Sequence, residues 1–269
     1  MDKIQMVSDL TKKRIKEYLS EGKRFDGRKL EEFRNIIIET GISKNAEGSA
    51  KVKIGKTEVI VGIKMAVSEP YPDSPDKGNL MVTAELLPLS SPRFESGPPK
   101  FPAIELGRVI DRGIRESKFI ELEKLCIKKG EKVWTVFIDI YSINDDGNLL
   151  DAAGLGAIIA LKNAKIPKYD AKNEKVLFGE LTKENIPLAK EIPISITIHK
   201  IGDNLIIDPA RDEEDISETR VTINSSNGVI HSMQKGNSKE LSIEEFNNIL
   251  DLIEKAEREI FKKLEKFLK

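Results

Sequence analysis

Arg108, Arg112 and Arg115 recur in the run AIELGRVIDRGIRESK at i, i+4 and i+7. On a helix that spacing confines them to a stripe roughly 60° wide. A planar guanidinium bonds two phosphate oxygens at once, so such a stripe suits a phosphodiester backbone. No lysine occurs between residues 101 and 117 to blur it, and Leu106, Val109, Ile110 and Ile114 fall on the opposite side. The alternative is a solvated helix face, with Glu105, Asp111 and Glu116 close enough to neutralise part of the charge.

A second candidate is the acidic run DPARDEEDISE, which holds Asp208, Asp212, Glu213, Glu214 and Asp215 just after a strand-like segment. Carboxylates grouped there can bind Mg²⁺ or act as general acid and base. They suit a solvated turn or the first turn of a helix equally well. A third is the turn NDDGNLLDAAGLGA, Asn144 to Ala157, set between a strand pattern and a small-residue helix pattern. Phosphate sites favour that location, yet the turn has no Arg, Lys, Ser or Thr to hold one. Gly154 and Gly156 lack the third glycine of a dinucleotide fingerprint. His199 and His231 are the only histidines, too few for a Cys/His zinc site, and neither forms a nucleophilic pair by sequence.

These residues need elements to place them. A helix is expected over the first 22 residues, capped by Ser8 or Asp9 and ended by Gly22, followed by an extended polar connector from Arg24 to Arg34. Strand patterns cover 34–40, 49–55, 57–67 and 80–89, with Gly55-Lys56-Thr57 as a hairpin turn and proline-rich loops at 68–79 and 90–102. An amphipathic helix begins near Ala103. The run 132–143 is the strongest strand, and 149–164 reads as a buried helix whose small residues allow close approach to a neighbour. Periodicity lapses over 165–192, which marks a subdomain boundary near 175. Strands at 194–202, 204–209, 219–226 and 228–236 follow. Last comes a long helix from Ser242, interrupted at Glu257, that packs on the second set of strands or forms a coiled coil. Mixed strands and helices with many hairpins predict an α+β protein. The division is 1–30 for the helix and connector, 31–175 for a first domain and 176–269 for a second.

With 269 residues, 39% of them hydrophobic and 33% charged, the chain can bury a sizeable core. Its net charge of −1 gives no overall field for nucleic acid, so RNA contact must come from a local patch or a partner. The lone Cys126 excludes an internal disulfide and fits a reducing cytosol. With no apolar run of about 18 residues, a cytoplasmic protein without membrane contact is expected.

Taken in order, RFDGR near residue 24, EGSAKVKIGKTEVIVGIK at 47–64, AIELGRVIDRGIRES at 103–117 and DDGNLLDAAGLGA at 145–157 resemble the ribonuclease PH superfamily over roughly residues 20–265. Within it, the SPRFESGPP loop and the proline after Asp208 resemble the non-catalytic ring subunits of archaeal exosomes. The resemblance implies two βαβ-containing subdomains, the first related to a ribosomal protein S5 domain. It also implies a hexameric ring of three heterodimers, each pairing such a subunit with a catalytic homologue. RNA-binding caps with S1/KH or zinc-ribbon domains sit on that ring. Single-stranded RNA is degraded from its 3′ end by inorganic phosphate, with Mg²⁺ at the partner's site; DNA is not an expected substrate.

Active members carry a Thr and an Arg for the attacking phosphate where this chain has Leu149 and Leu150. Their Arg-Arg pair is matched here by Phe101 and Pro102. Asp208 keeps the type of an active-site acid, while Glu214 stands where they have Asp. The resemblance therefore implies a subunit inactive alone, with no cofactor of its own. It supports Arg108 and Arg112 as holders of the RNA backbone, and gives no such support to Arg115, for which a structural ion pair is the alternative. An active phosphorolytic subunit using Asp208 and Glu214, and a stand-alone RNA-binding module, are the competing readings.

Overall fold

The computed structural model describes residues 7–268. Ser8 caps helix α1 (Asp9–Ser20), its hydroxyl accepting from the Thr11 backbone N–H, and Ile15 and Leu19 bury one face. The part of the expected first helix in residues 1–6 lies outside the described residues. The first sheet contains β1 (Ile36–Thr40), β2 (Gly48–Ile54), β3 (Thr57–Ser68), β4 (Asn79–Leu86), β5 (Cys126–Lys128) and β6 (Lys132–Asn144). Its order is β1-β2-β3-β6-β4, with β4 parallel to β6 and β5 along β6. The β2–β3 hairpin turns at Gly55 and Lys56, pairing Ile54 with Thr57. Alternate residues of β3, from Thr57 to Met65, are buried, and this face receives helix α3 (Leu149–Lys162). Helix α2 (Phe101–Glu116) lies over β4.

The second sheet has the order β10-β9-β11-β12, formed by β9 (Ile194–Ile201), β10 (Asn204–Ile207), β11 (Thr219–Ser226) and β12 (Val229–Gly236). One face is apolar: Ile196 and Ile198 pair across strands with Ile223 and Val221. Helix α5 (Ile243–Leu268) packs on this sheet through Ile249, Ile253, Ala256 and Ile260, rather than forming a coiled coil. The interruption at Glu257 has a physical cause. That carboxylate is buried, and it accepts from the Ser225 hydroxyl and, at 2.6 Å, from the Asn227 backbone N–H.

The opposite face of the second sheet meets α2 and α3 and is polar. Asp151 of α3 accepts from the Thr197 hydroxyl at 2.7 Å and Thr197 lies 2.9 Å from Thr222, while Asn224 holds Ser195 and Ser232. The small-residue helix has a close neighbour on each side: a Cβ added to Gly154 would stand 2.8 Å from Ser195 Oγ of this sheet, and one added to Gly156 2.8 Å from Val61 of the first. On α2, a Cβ added to Gly113 would stand 2.3 Å from the Asn224 side-chain oxygen. Gly113→Ala is therefore expected to cost about 1–3 kcal/mol in a urea melt by overpacking the seam.

Two stretches differ from the sequence expectation. Residues 165–192 contain a two-stranded ribbon, β7 (Lys165–Asp170) and β8 (Lys175–Asn185), which pair only with each other. Most of β8 is exposed, so no buried face imprints an alternating pattern on it. The connector at 24–34 is no free extended link, because Arg24 is fully buried and Arg28 and Arg34 nearly so. Among the described residues no helix is long and apolar enough to cross a membrane.

Candidate functional site

The turn between β6 and α3 takes its shape from its own residues. Gly147 has φ +85°, and a Cβ there would stand 2.5 Å from the Pro209 carbonyl oxygen. Asn148 follows at φ 62°, a left-handed conformation that Asn tolerates better than most side chains. Thr57 donates its hydroxyl to the Gly147 carbonyl, and Arg34 donates to the carbonyls of Asp146, Gly147 and Pro209. The first strand hairpin and the loop after β10 thus clamp the turn from two sides.

At the centre lies Asp208, wholly buried and itself at φ 48°. Its carboxylate accepts five hydrogen bonds: three from Arg34 through the backbone N–H, Nε and Nη2 at 2.7–2.8 Å, one from Asn148 Nδ2 at 2.8 Å and one from Arg28 Nη1 at 3.1 Å. Burial pushes its pKa up, but Arg34's hydrogen bonds and charge outweigh that and hold it below the usual carboxylate range. With its lone pairs committed, Asp208 is a structural anion.

Most of the acidic run behind it is committed too. Helix α4 (Arg211–Asp215) carries Asp212, Glu213 and Glu214 in its first turn, the helical alternative among the expectations. Glu213 is bound by Arg24, whose Nε donates at 3.0 Å. Arg211 holds Asp145, Glu214 and Asp215 together. Among the described residues no group of three or more His, Cys, Asp or Glu side chains could hold a metal ion.

In front of the turn opens a cavity of about 620 Å³. Leu149, Leu150, Pro102 and Glu214 line it, so the structure brings four of the sequence candidates together. Phe101 does not join them; it is exposed at the start of α2. Asp208 stands behind the turn, connected to Glu214 only through Asn148, whose backbone N–H donates to Glu214 at 3.2 Å. Three further arginines reach the cavity and were missed by sequence: Arg93, Arg211 and Arg220. Each has a carboxylate partner, Arg93 with Asp215, Arg211 with its three acids and Arg220 with Glu105. No local spacing announces them, since they come from three separate segments.

The arginine stripe of α2 lies outside the cavity lining. Arg108 and Arg112 are exposed and have no ion-pair or hydrogen-bond partner among the described residues. Glu105, a potential neutraliser, turns instead to Arg220 on the second sheet. Arg115 differs from its two neighbours. Asp111 accepts from it at 2.7 and 3.1 Å and the Leu80 carbonyl at 3.0 Å, so Arg115 makes the structural ion pair that was its alternative.

Two α+β halves, packed through a polar seam and pinned by buried arginines at a strand-to-helix turn, define the class. The 3′ exoribonuclease (RNase PH) family matches with its domain 1 at residues 32–167 and its domain 2 at residues 191–256, and the chain belongs to that family. Its relatives are named with more detail. It is 46% identical to the exosome complex component Rrp42 of Methanocella arvoryzae, over 97% of each chain. It is 47% identical to the protein of the same name from Thermococcus onnurineus, over 94% of this chain and 93% of that one. Among solved structures, a chain of the Archaeoglobus fulgidus exosome with RNA bound to the active site superimposes with a TM-score of 0.87 at 42% identity, covering 95% of this chain and 98% of that one.

Proposed function

We propose that this chain is a non-catalytic ring subunit of an archaeal exosome, pairing with a catalytic RNase PH-like homologue in a trimer of heterodimers beneath RNA-binding caps. The observation that carries the reading is the pair Leu149 and Leu150 on the cavity wall, where the resemblance places the Thr and Arg that hold phosphate in active members. Phosphorolysis must hold a dianion beside a phosphodiester against mutual repulsion, and two leucines offer it no charge-assisted donor. The guanidinium groups nearby are tied to carboxylates, and Asp208 is committed to Arg34. The near-complete coverage of relatives named exosome component supports the same assignment. Inorganic phosphate, and Mg²⁺ where the reaction uses it, act at the partner's site.

The subunit's own contribution is grip. Arg108 and Arg112 stand free on an exposed helix face and bind RNA phosphates without regard to sequence. The test is to incubate single-stranded RNA and phosphate with the chain alone, with its catalytic partner, and with both. Diphosphate release is expected only where the partner is present; release by the chain alone would sink the proposal. Arg108→Glu combined with Arg112→Glu is expected to leave the ring intact by gel filtration and to slow RNA degradation by roughly tenfold or more, with the loss growing in dilute salt. Arg115→Gln should move the rate far less, because its guanidinium is already held by Asp111 and Leu80.

A further inference from the structure

Where α4 meets the cavity, three carboxylates share two guanidinium groups. Arg211 reaches Asp145 at 2.8 Å, Glu214 at 2.9 Å and Asp215 at 3.0 Å, and Arg93 makes a further contact with Asp215. The remaining lining cations are matched one to one, Arg220 by Glu105 and Lys100 by Glu95. The cluster therefore keeps one negative charge in excess, which repels a phosphate and attracts a cation. Its effect shows at Asp145, whose pKa is raised first by burial; Arg211 opposes the rise and the charge of Glu214 adds to it. The open acceptor is Glu214 Oε1. That side chain is held through Oε2 alone, by Arg211 and the Asn148 backbone N–H, and it lines the cavity about one-fifth exposed. Beside it the wall is apolar, formed by Leu106, Leu149 and Leu150. Leu89, Phe101 and Ile104 each adjoin lining residues in sequence and are themselves exposed. Exposed apolar side chains grouped about a pocket mark a contact with another protein, not a site for a free ion.

We infer that the cavity is a socket for an arginine side chain contributed by the catalytic partner. The aliphatic stem lies along the three leucines, and the guanidinium meets Glu214 Oε1 and neutralises the excess charge. Arginine suits the place because its head is weakly hydrated and is favoured in interface ion pairs. The exposed apolar side chains close around it and exclude water. Helix α2 argues for this partner: Pro102 and Ala103, at its start, line the cavity, and the same helix presents Arg108 and Arg112 further along. A subunit that receives RNA from those arginines lies against the helix that borders the socket. The choice of partner rests on the ring proposal, whereas the socket itself rests on the charge and shape of the cavity.

Two experiments keep the socket and the ring apart. In the first, the full chain alone is titrated with Nα-acetylarginine methylamide while the methyl NMR signals of Leu149 and Leu150 are followed. Saturation with a dissociation constant of roughly 10 mM or tighter is expected, with the uncharged norleucine analogue at least about fivefold weaker and no displacement by inorganic phosphate. Glu214→Gln keeps an oxygen for Arg211 and Asn148 but loses the charge, and should weaken the arginine probe about fivefold. In the second, the chain is titrated calorimetrically with the catalytic partner. Glu214→Gln should weaken that association about fivefold, and Leu150→Arg, which fills the socket with a tethered guanidinium, about tenfold or more. Thermal melting close to the parent's shows that both variants fold. Unmoved leucine signals at roughly 50 mM probe, or an equal response to the norleucine analogue, would overturn the socket. Parent-like affinity for the partner in both variants would overturn the assignment of its arginine to the partner. A parent chain that does not associate at all would defeat the ring proposal and the choice of partner, and the first experiment would still decide the socket.

Discussion

Replacing Asp208 by alanine is expected to lower the unfolding free energy by about 3–5 kcal/mol. The reason is what the substitution leaves behind. The Arg34 guanidinium, with a side chain 9% exposed, and that of Arg28, at 11%, would remain charged beside an empty position, and Asn148 would lose its acceptor. Asp208→Asn should recover only part of the loss, since an amide keeps one acceptor oxygen and brings N–H groups against other donors. Glu214→Ala makes the contrast, because that side chain is one-fifth exposed and its removal leaves Arg211 paired with Asp145 and Asp215. A loss near 1 kcal/mol is expected for it. Urea denaturation of the three variants provides the comparison. Equal midpoints for Asp208→Ala and the parent would show that the hub contributes nothing to the fold.

Two buried groups in the seam should pull stability in opposite directions with pH. Asp151 has its pKa pushed up to about 7, chiefly by burial, against the hydrogen bonds from Thr197 that favour its charged form. A raised carboxyl pKa means stability fully present below the unfolded value near 3.8 and lost as pH rises through 7. His199 has its pKa pushed down to about 3, first by burial and then by the nearby Arg220 and Arg211 charges. It stays neutral beside Ser217, and its contribution is present above about 6.5 and lost as pH falls toward 3. Each shift corresponds to roughly 4–5 kcal/mol, so the two contributions largely offset between about pH 4 and 6.5. Removing one exposes the other. From pH 4 to pH 8, the stability of Asp151→Asn relative to the parent should improve by about 4 kcal/mol. From pH 7 to pH 3.5, His199→Gln should gain by a similar amount. Parallel pH profiles for parent and variants would mean that neither group titrates abnormally.

Elements that bury one face were legible in the sequence, because burial writes a period into it. The alternating β3, the unbroken β6, the small-residue α3 and the long α5 all sit where their patterns place them. Ser8 and Gly55 punctuate as their chemistry predicts. The break at Glu257 was visible, though its cause, a carboxylate reaching strand β11 and the turn after it, was not. The β7–β8 ribbon left no trace because most of one strand faces water. The arginine hub was hidden for another reason. Arg24 meets Glu213 across 189 positions of chain, and Arg34 meets Asp208 across 174, distances at which no local pattern survives. Motif resemblance marked RFDGR without saying what its arginines hold. The site was half legible: Leu149, Leu150, Pro102 and Glu214 do meet, whereas Arg93, Arg211 and Arg220 converge only in three dimensions.

The captive carboxylate of Asp208 has one more consequence. A dissolved anion leaves its site when its concentration falls, but an anion tethered to the backbone is present at an effective concentration that dilution cannot change. Occupancy around Arg34 is therefore constant across any physiological swing in phosphate, and the turn keeps one shape through starvation and plenty alike. Whatever surface this half of the molecule offers a neighbour is therefore offered unconditionally.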